Sequence, residues 1–216
     1  MPNLEIATII IIAANVLFSL KGFNDFSFFE KYKFNIAGIR RGEQIRMLTS
    51  GFLHVDFVHL FFNMFTFYFF AHVVVKAVGV TQFVIIYVLS LLVGNLLSFL
   101  FHKDEYHYSA VGASGAVTGI LYSAILVAPK MELYLYFIPI PIPAWIFGIL
   151  YLLYSIYGMK SRQGNIGHDA HFGGAIAGYL LTIVFIPSLL QTSLWLVAAL
   201  AVPIIILFIL YKLGKI

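Results

Sequence analysis

Four side chains here have the types and spacing to do chemistry: a hydroxyl, two imidazoles and a carboxamide. Ser114 lies in Gly112-Ala113-Ser114-Gly115, and His171 follows His168 by three residues. His59 and Asn63 are four apart, so on a helix they share one face. A serine hydroxyl is a weak nucleophile until a histidine base takes its proton. At a helix start it also sits beside free backbone N–H groups that can stabilise an oxyanion, and His59 and Asn63 can add donors. Taken singly, each feature has a plainer reading. A Gly-x-Ser-Gly in an apolar helix is usually packing, and a lone histidine near a helix end is usually interfacial or hydrogen-bonded. His72, His102 and His107 receive that plainer reading.

The elements that must position these groups follow from the distribution of apolar residues. Of 216 residues, 62% are hydrophobic and 10% charged, whereas soluble domains are about a quarter charged. This excludes a disordered chain and an ordinary cytosolic enzyme. The 13 Lys and Arg are scattered, with no basic stripe to track a phosphate backbone, so no nucleic-acid partner is expected. With no cysteine there is no disulfide framework, thiolate metal site or Cys nucleophile.

A helix needs about 20 apolar residues to cross the hydrocarbon core. The stretches free of Asp, Glu, Lys and Arg predict seven spans, over 4–20, 58–78, 82–101, 111–128, 138–157, 170–186 and 193–211. The runs are continuous and do not alternate, which argues against a β-barrel. The fold class is thus all-α, a polytopic helical membrane bundle. The first basic side chain, Lys21, lies beyond the first apolar run, unlike the positive n-region of a signal peptide, so that run is read as a retained helix. The segment from Lys21 to Asp56 is rich in aromatics and is expected to sit partly in the membrane interface.

Spans two, four and six run in the same direction, so the groups at their starts share one membrane face at similar depth. Gly112, Gly115 and Gly119 flank Ser114, and Gly174-x-x-x-Gly178 follows His171. Small residues let helices approach closely in lipid, which would bring Ser114 and His171 into contact.

The same residues carry a family resemblance. The segment from Arg46 through His54 and His59 to Asn63 resembles the Arg…His-x4-His-x3-Asn block of rhomboid intramembrane serine proteases. Gly112-Ala113-Ser114-Gly115-x3-Gly119 is similar to their nucleophile motif, and Ala170-His171-Phe172-Gly173-Gly174-x3-Gly178 to their base motif. The resemblance covers residues 4–187 and implies a six-helix catalytic core over 1–187, with 188–216 an additional C-terminal helix and tail. It implies Ser114 as nucleophile and His171 as general base, a dyad without an aspartate. Asn63, His59 and the Ser114 N–H would bind the oxyanion, while Arg46 and His54 would hold the first loop. Substrates would be transmembrane helices of other proteins, cleaved near the membrane surface, with the lipid bilayer as the other partner and no cofactor or metal. Span five and the loop at 158–169 would form a lateral gate and cap, with His168 and Asp169 as cap residues.

Departures from the pattern lie around the reacting groups. Thr118 stands where the family often has an aromatic that stacks on the base, Ile45 stands for the usual Trp, and Val75-Lys76 precede Gly79 where a glutamate is common. Two other classes compete with the peptidase reading. One is a noncatalytic rhomboid-like chaperone, although such proteins generally lack the Ser or His present here. The other is a metal transporter using His59, His168 and His171, although every Asp and Glu lies outside the charge-free runs.

Eleven Lys and Arg fall on the side of the loops after spans one, three and five, and two on the other. The positive-inside rule would place the eleven, and the active-site face, in the cytoplasm. The resemblance implies the opposite, a bacterial plasma membrane with the site on the extracytoplasmic side, and six of the eleven lie in the first loop expected to be embedded. We adopt the family orientation. Cysteines introduced singly over 103–109 of this cysteine-free chain are then expected to react with an impermeant maleimide from the extracytoplasmic side. Reaction only from the cytoplasm reverses the assignment.

Overall fold

In a computed structural model of the chain, the structure describes residues 2–135, 138–161 and 166–216. Seven longer helices carry the described fold: α1 (Pro2–Asn24), α2 (Phe57–Val78), α3 (Val80–Phe101), α4 (Ser114–Val127), α5 (Ala144–Ser161), α6 (His168–Phe185) and α7 (Leu194–Lys212). By length and composition, α2, α3, α7 and the part of α1 from Ile6 to Asn24 can each cross a membrane. With 14 residues, α4 is only about 21 Å long and is buried along almost its whole length. The exposed surface carries Phe61, Phe65, Phe69, Leu96, Leu100, Val184 and Phe208, as befits a chain solvated by lipid.

The described helices agree with the expected spans except at span five. Residues 138–143 belong to no helix. Ile138–Pro143 is a strand, β4, paired antiparallel with β3 (Glu132–Leu135). The sequence Ile-Pro-Ile-Pro-Ile-Pro is apolar enough to count toward a span. Its prolines, however, lack the N–H a helix interior needs and fit an edge strand. The helix therefore begins only at Ala144 and runs to Ser161.

Burial by itself brings helices no closer in lipid, so polar contacts and small residues must organise the bundle. Asn15 Nδ2 donates to Tyr87 Oη at 3.1 Å, tying α1 to α3. Thr182 Oγ1 and Ser123 Oγ are 2.7 Å apart between α6 and α4. Tyr179 Oη donates to the Val197 carbonyl at 2.9 Å, and Trp145 meets Trp195 edge-on, so α7 is held against α6 and α5.

The tightest packing is among α3, α4 and α6. A Cβ on Gly174 would lie 1.9 Å from the Gly115 carbonyl oxygen, and one on Gly178 would lie 2.1 Å from that of Gly119. On α3, a Cβ on Gly94 would lie 2.6 Å from the Ala170 carbonyl oxygen. Backbone meets backbone at these crossings, so only glycine fits. The first loop is well structured, with short helices over Phe26–Tyr32, Ile36–Arg40 and Arg46–Thr49. Its strand β1 (Phe34–Asn35) pairs with β2 (Ser109–Ala110), just before Ser114.

Gly178→Leu is expected to lower the unfolding free energy in mixed micelles by about 3 kcal/mol or more, because the side chain must displace the α4 backbone. Leu180→Ala, on the exposed face of the same helix, is expected to change it by about 0.5 kcal/mol or less. Equal effects would contradict the close-packed crossing.

Candidate active site

Ser114 is the first residue of α4, and His171 lies in the first turn of α6. The glycine crossing draws the two helix starts together and leaves Ser114 Oγ 2.7 Å from His171 Nε2. This is the distance and partner atom a serine needs to lose its proton as it attacks. The N-terminal N–H groups of a helix have no intrahelical acceptor, so Ser114 N–H is available to an anion formed at its own hydroxyl.

The approach to Ser114 is shaped by Gly112, whose φ of +131° side chains other than glycine's rarely adopt. A Cβ there would also lie 2.9 Å from His59 Nε2 and 3.8 Å from Ser114 Oγ. The absent side chain thus leaves the His59 imidazole and the Ser114 hydroxyl bordering the same open space. Asn63, one turn further along α2, donates Nδ2 to the His59 carbonyl at 3.0 Å and lines the same cavity as Ser114. A carboxamide has two N–H donors, so one is left for another acceptor. Ser114, His171, His59 and Asn63 are therefore brought together.

The first loop holds this arrangement from behind. Arg46 binds Glu43 Oε2 through Nε at 2.5 Å and gives Nη1 to the Glu30 and Lys33 carbonyls at 2.8 and 2.9 Å. Glu43 is held below the usual carboxylate range, chiefly by its hydrogen bond from Arg46. His54 is fully buried. Its Nε2 accepts from the Ala113 N–H at 3.4 Å, and Nδ1 lies 2.9 Å from Ser19 Oγ, which donates to the Phe52 carbonyl at 3.1 Å. With Nε2 accepting, the proton sits on Nδ1 and every donor in the chain has one acceptor. Burial, reinforced by neighbouring His59, pushes the His54 pKa down to about 3.

The expected cap loop over 158–169 ends earlier than the sequence suggests, because α6 already begins at His168. His168 and Asp169 open α6 and are both buried. The His168 ring fills the space left by Gly158 of α5, where a Cβ would lie 2.2 Å from its Cδ2. The Asp169 carboxylate in the first helical turn suits the positive end of the helix dipole. Residues 162–165 of the expected cap loop lie outside the described residues. Among the described residues, no three His, Asp or Glu converge in an arrangement that could hold a metal ion, and this includes His59, His168 and His171.

Tyr151 escaped the sequence reading. It lies on α5 and puts its hydroxyl 2.8 Å from His171 Nδ1, with the rings stacked at 5.9 Å and 23°. A tyrosine in an aromatic-rich span gave no signal of this. His102, read as interfacial or hydrogen-bonded, is hydrogen-bonded: it lies 2.8 Å from Glu105 Oε2 and 3.4 Å from Asp169 Oδ2, and stacks on Tyr108 at 3.6 Å. Burial works to lower its pKa, but the hydrogen bonds with Asp169 and Glu105 prevail and raise it above the ordinary histidine value. A cavity of about 930 Å³ runs from Ser114, Asn63, Thr118 and Tyr151 past Phe65 and Phe147 to Glu132 and Tyr134 of the hairpin. Its walls are α2, α4, α5 and β3.

Because His54 is kept neutral in the fold and titrates near 6.5 when unfolded, the unfolded chain binds the extra proton as pH falls. This contribution is intact above about pH 6.5 and is lost as pH falls toward 3, at up to about 1.4 kcal/mol per pH unit. His54→Gln is expected to flatten the unfolding free energy against pH over that window. An unchanged slope would contradict the buried neutral imidazole.

The rhomboid domain family model matches residues 41–188, which spans the first loop through α6. The chain is 28% identical over 182 residues to RHOMBOID-like protein 12, mitochondrial, of Arabidopsis thaliana, covering 77% of this chain and 54% of that protein. It is 29% identical to Rhomboid protein 1, mitochondrial, of Saccharomyces cerevisiae, covering 63% of this chain and 40% of that protein. It is 30% identical to Rhomboid protease GluP of Bacillus subtilis, covering 65% and 26%. The chain thus spans about half or less of the length of these curated relatives. The motifs, the helical membrane bundle and the family match agree: this chain belongs to the rhomboid family.

Proposed function

We propose that the chain is an intramembrane serine endopeptidase that cleaves peptide bonds in or near transmembrane helices of other membrane proteins. The observation that carries this reading is the 2.7 Å contact of Ser114 Oγ with His171 Nε2, at the mouth of an apolar cavity between α2 and α5. A peptide bond in a helix is hidden by its own hydrogen bonds, so cleavage requires local unwinding of the substrate. A cavity bordering lipid, with a nucleophile at one end, suits that task.

As Oγ attacks the scissile carbonyl, His171 Nε2 takes its proton. The tetrahedral oxyanion is received by the Ser114 N–H, the free N–H of Asn63 and the His59 imidazole. Collapse passes the proton from Nε2 to the leaving amine and leaves an acyl-enzyme on Ser114. A water deprotonated by His171 then releases the acid and restores the serine. The catalytic unit is residues 1–187, with α7 supporting α5 and α6. The proposed setting is a bacterial plasma membrane with the site on the extracytoplasmic side. The relatives named above include both a bacterial and mitochondrial proteins.

In lipid nanodiscs, Ser114→Ala is expected to abolish cleavage of a model transmembrane substrate, and His171→Ala to reduce it by about 10³-fold or more. Undiminished cleavage by Ser114→Ala overturns the serine mechanism.

A further inference from the structure

We infer that Tyr151 is a positioning residue of the Ser114–His171 pair, holding the imidazole in the tautomer whose Nε2 accepts the serine proton. The inference rests on the peptidase reading. A neutral imidazole carries one proton, and only the form protonated at Nδ1 leaves Nε2 free to act as base. Whatever faces Nδ1 therefore decides whether the pair is competent. Here that group is the Tyr151 hydroxyl at 2.8 Å, with its ring stacked on the imidazole.

A hydroxyl can donate to Nδ1 as well as accept from it, and the Ser114 contact decides between the two. Ser114 Oγ lies 2.7 Å from Nε2, and its hydrogen can go there only if Nε2 is bare. The imidazole proton is then on Nδ1 and the Tyr151 oxygen accepts it, leaving the Tyr151 hydrogen to face the cavity that its side chain lines.

Ser114 thus donates to His171 Nε2, and Nδ1–H donates to Tyr151. The alternative, with Tyr151 donating to Nδ1, forces Nε2–H toward Ser114 Oγ and leaves no base. The group orienting the base is a neutral hydroxyl supplied by α5.

The test uses the full chain in lipid nanodiscs. ¹⁵N-labelled histidine is read by NMR, with His171 assigned from the resonance lost in His171→Gln. Wild type is expected to show His171 protonated at Nδ1. Tyr151→Phe, which keeps the ring, is expected to shift it toward the Nε2–H form. The same variant should lower kcat by about tenfold to a hundredfold, the lower part of a general-base contribution, and leave KM within about twofold. If Tyr151→Phe leaves either the tautomer or kcat at its wild-type value, the proposal is overturned. A wild-type chain that cleaves nothing defeats the peptidase reading, and the tautomer measurement then still decides the role of Tyr151.

Discussion

The direct approach of two helix backbones governs this molecule. Gly115 and Gly119 of α4 lie so close to Gly174 and Gly178 of α6 that a methyl group at either α6 position would overlap a carbonyl oxygen of α4. Helices in lipid gain little from burying apolar surface against each other, so such crossings depend on close packing and backbone complementarity. The functional consequence is geometric. A serine and a histidine both have short side chains, and they can meet at 2.7 Å only if their helix starts are adjacent. The glycines are therefore as necessary to this contact as the two side chains that make it.

The remaining structure stabilises and surrounds that crossing. The first loop is pinned by Arg46 and reaches the segment before Ser114 through the β1–β2 pair, the Gly112 N–H to Ser50 carbonyl bond and the His54 to Ala113 contact. Gly112 then leaves the His59 ring and the Ser114 hydroxyl bordering one open space. On the opposite flank, α5 contributes both the cavity wall at Phe147 and the hydroxyl facing His171. One helix thus borders the cavity and also touches His171.

The meeting of Ser114 with His171 was legible in the sequence because each is a polar side chain in a span, where lipid penalises anything unneeded, and because the glycines beside them keep helical spacing. Seven helices followed from charge-free runs for the same reason. The start of the fifth was misread because hydropathy treats Ile-Pro-Ile-Pro-Ile-Pro as apolar and ignores the missing N–H groups that make it a strand. Tyr151 was invisible since its partner lies 20 residues away on another helix, and an aromatic in a membrane span ordinarily means packing. Thr118 looked like a gap in the stacking around the base. The structure shows that the stacking partner comes from α5, while Thr118 Oγ1 donates to the Ser114 carbonyl. The pairing of His102 with Asp169 likewise joins residues 67 apart in sequence across two helices.

In the proposed function Ser114 is the activated nucleophile, its hydroxyl 2.7 Å from His171 Nε2 at the start of α4. Mass spectrometry after treatment with a fluorophosphonate tests it directly. The account predicts a single adduct mapped to Ser114, formed in folded protein in lipid nanodiscs and lost on unfolding before treatment. An adduct on another residue, or none on Ser114 in folded protein, would contradict it.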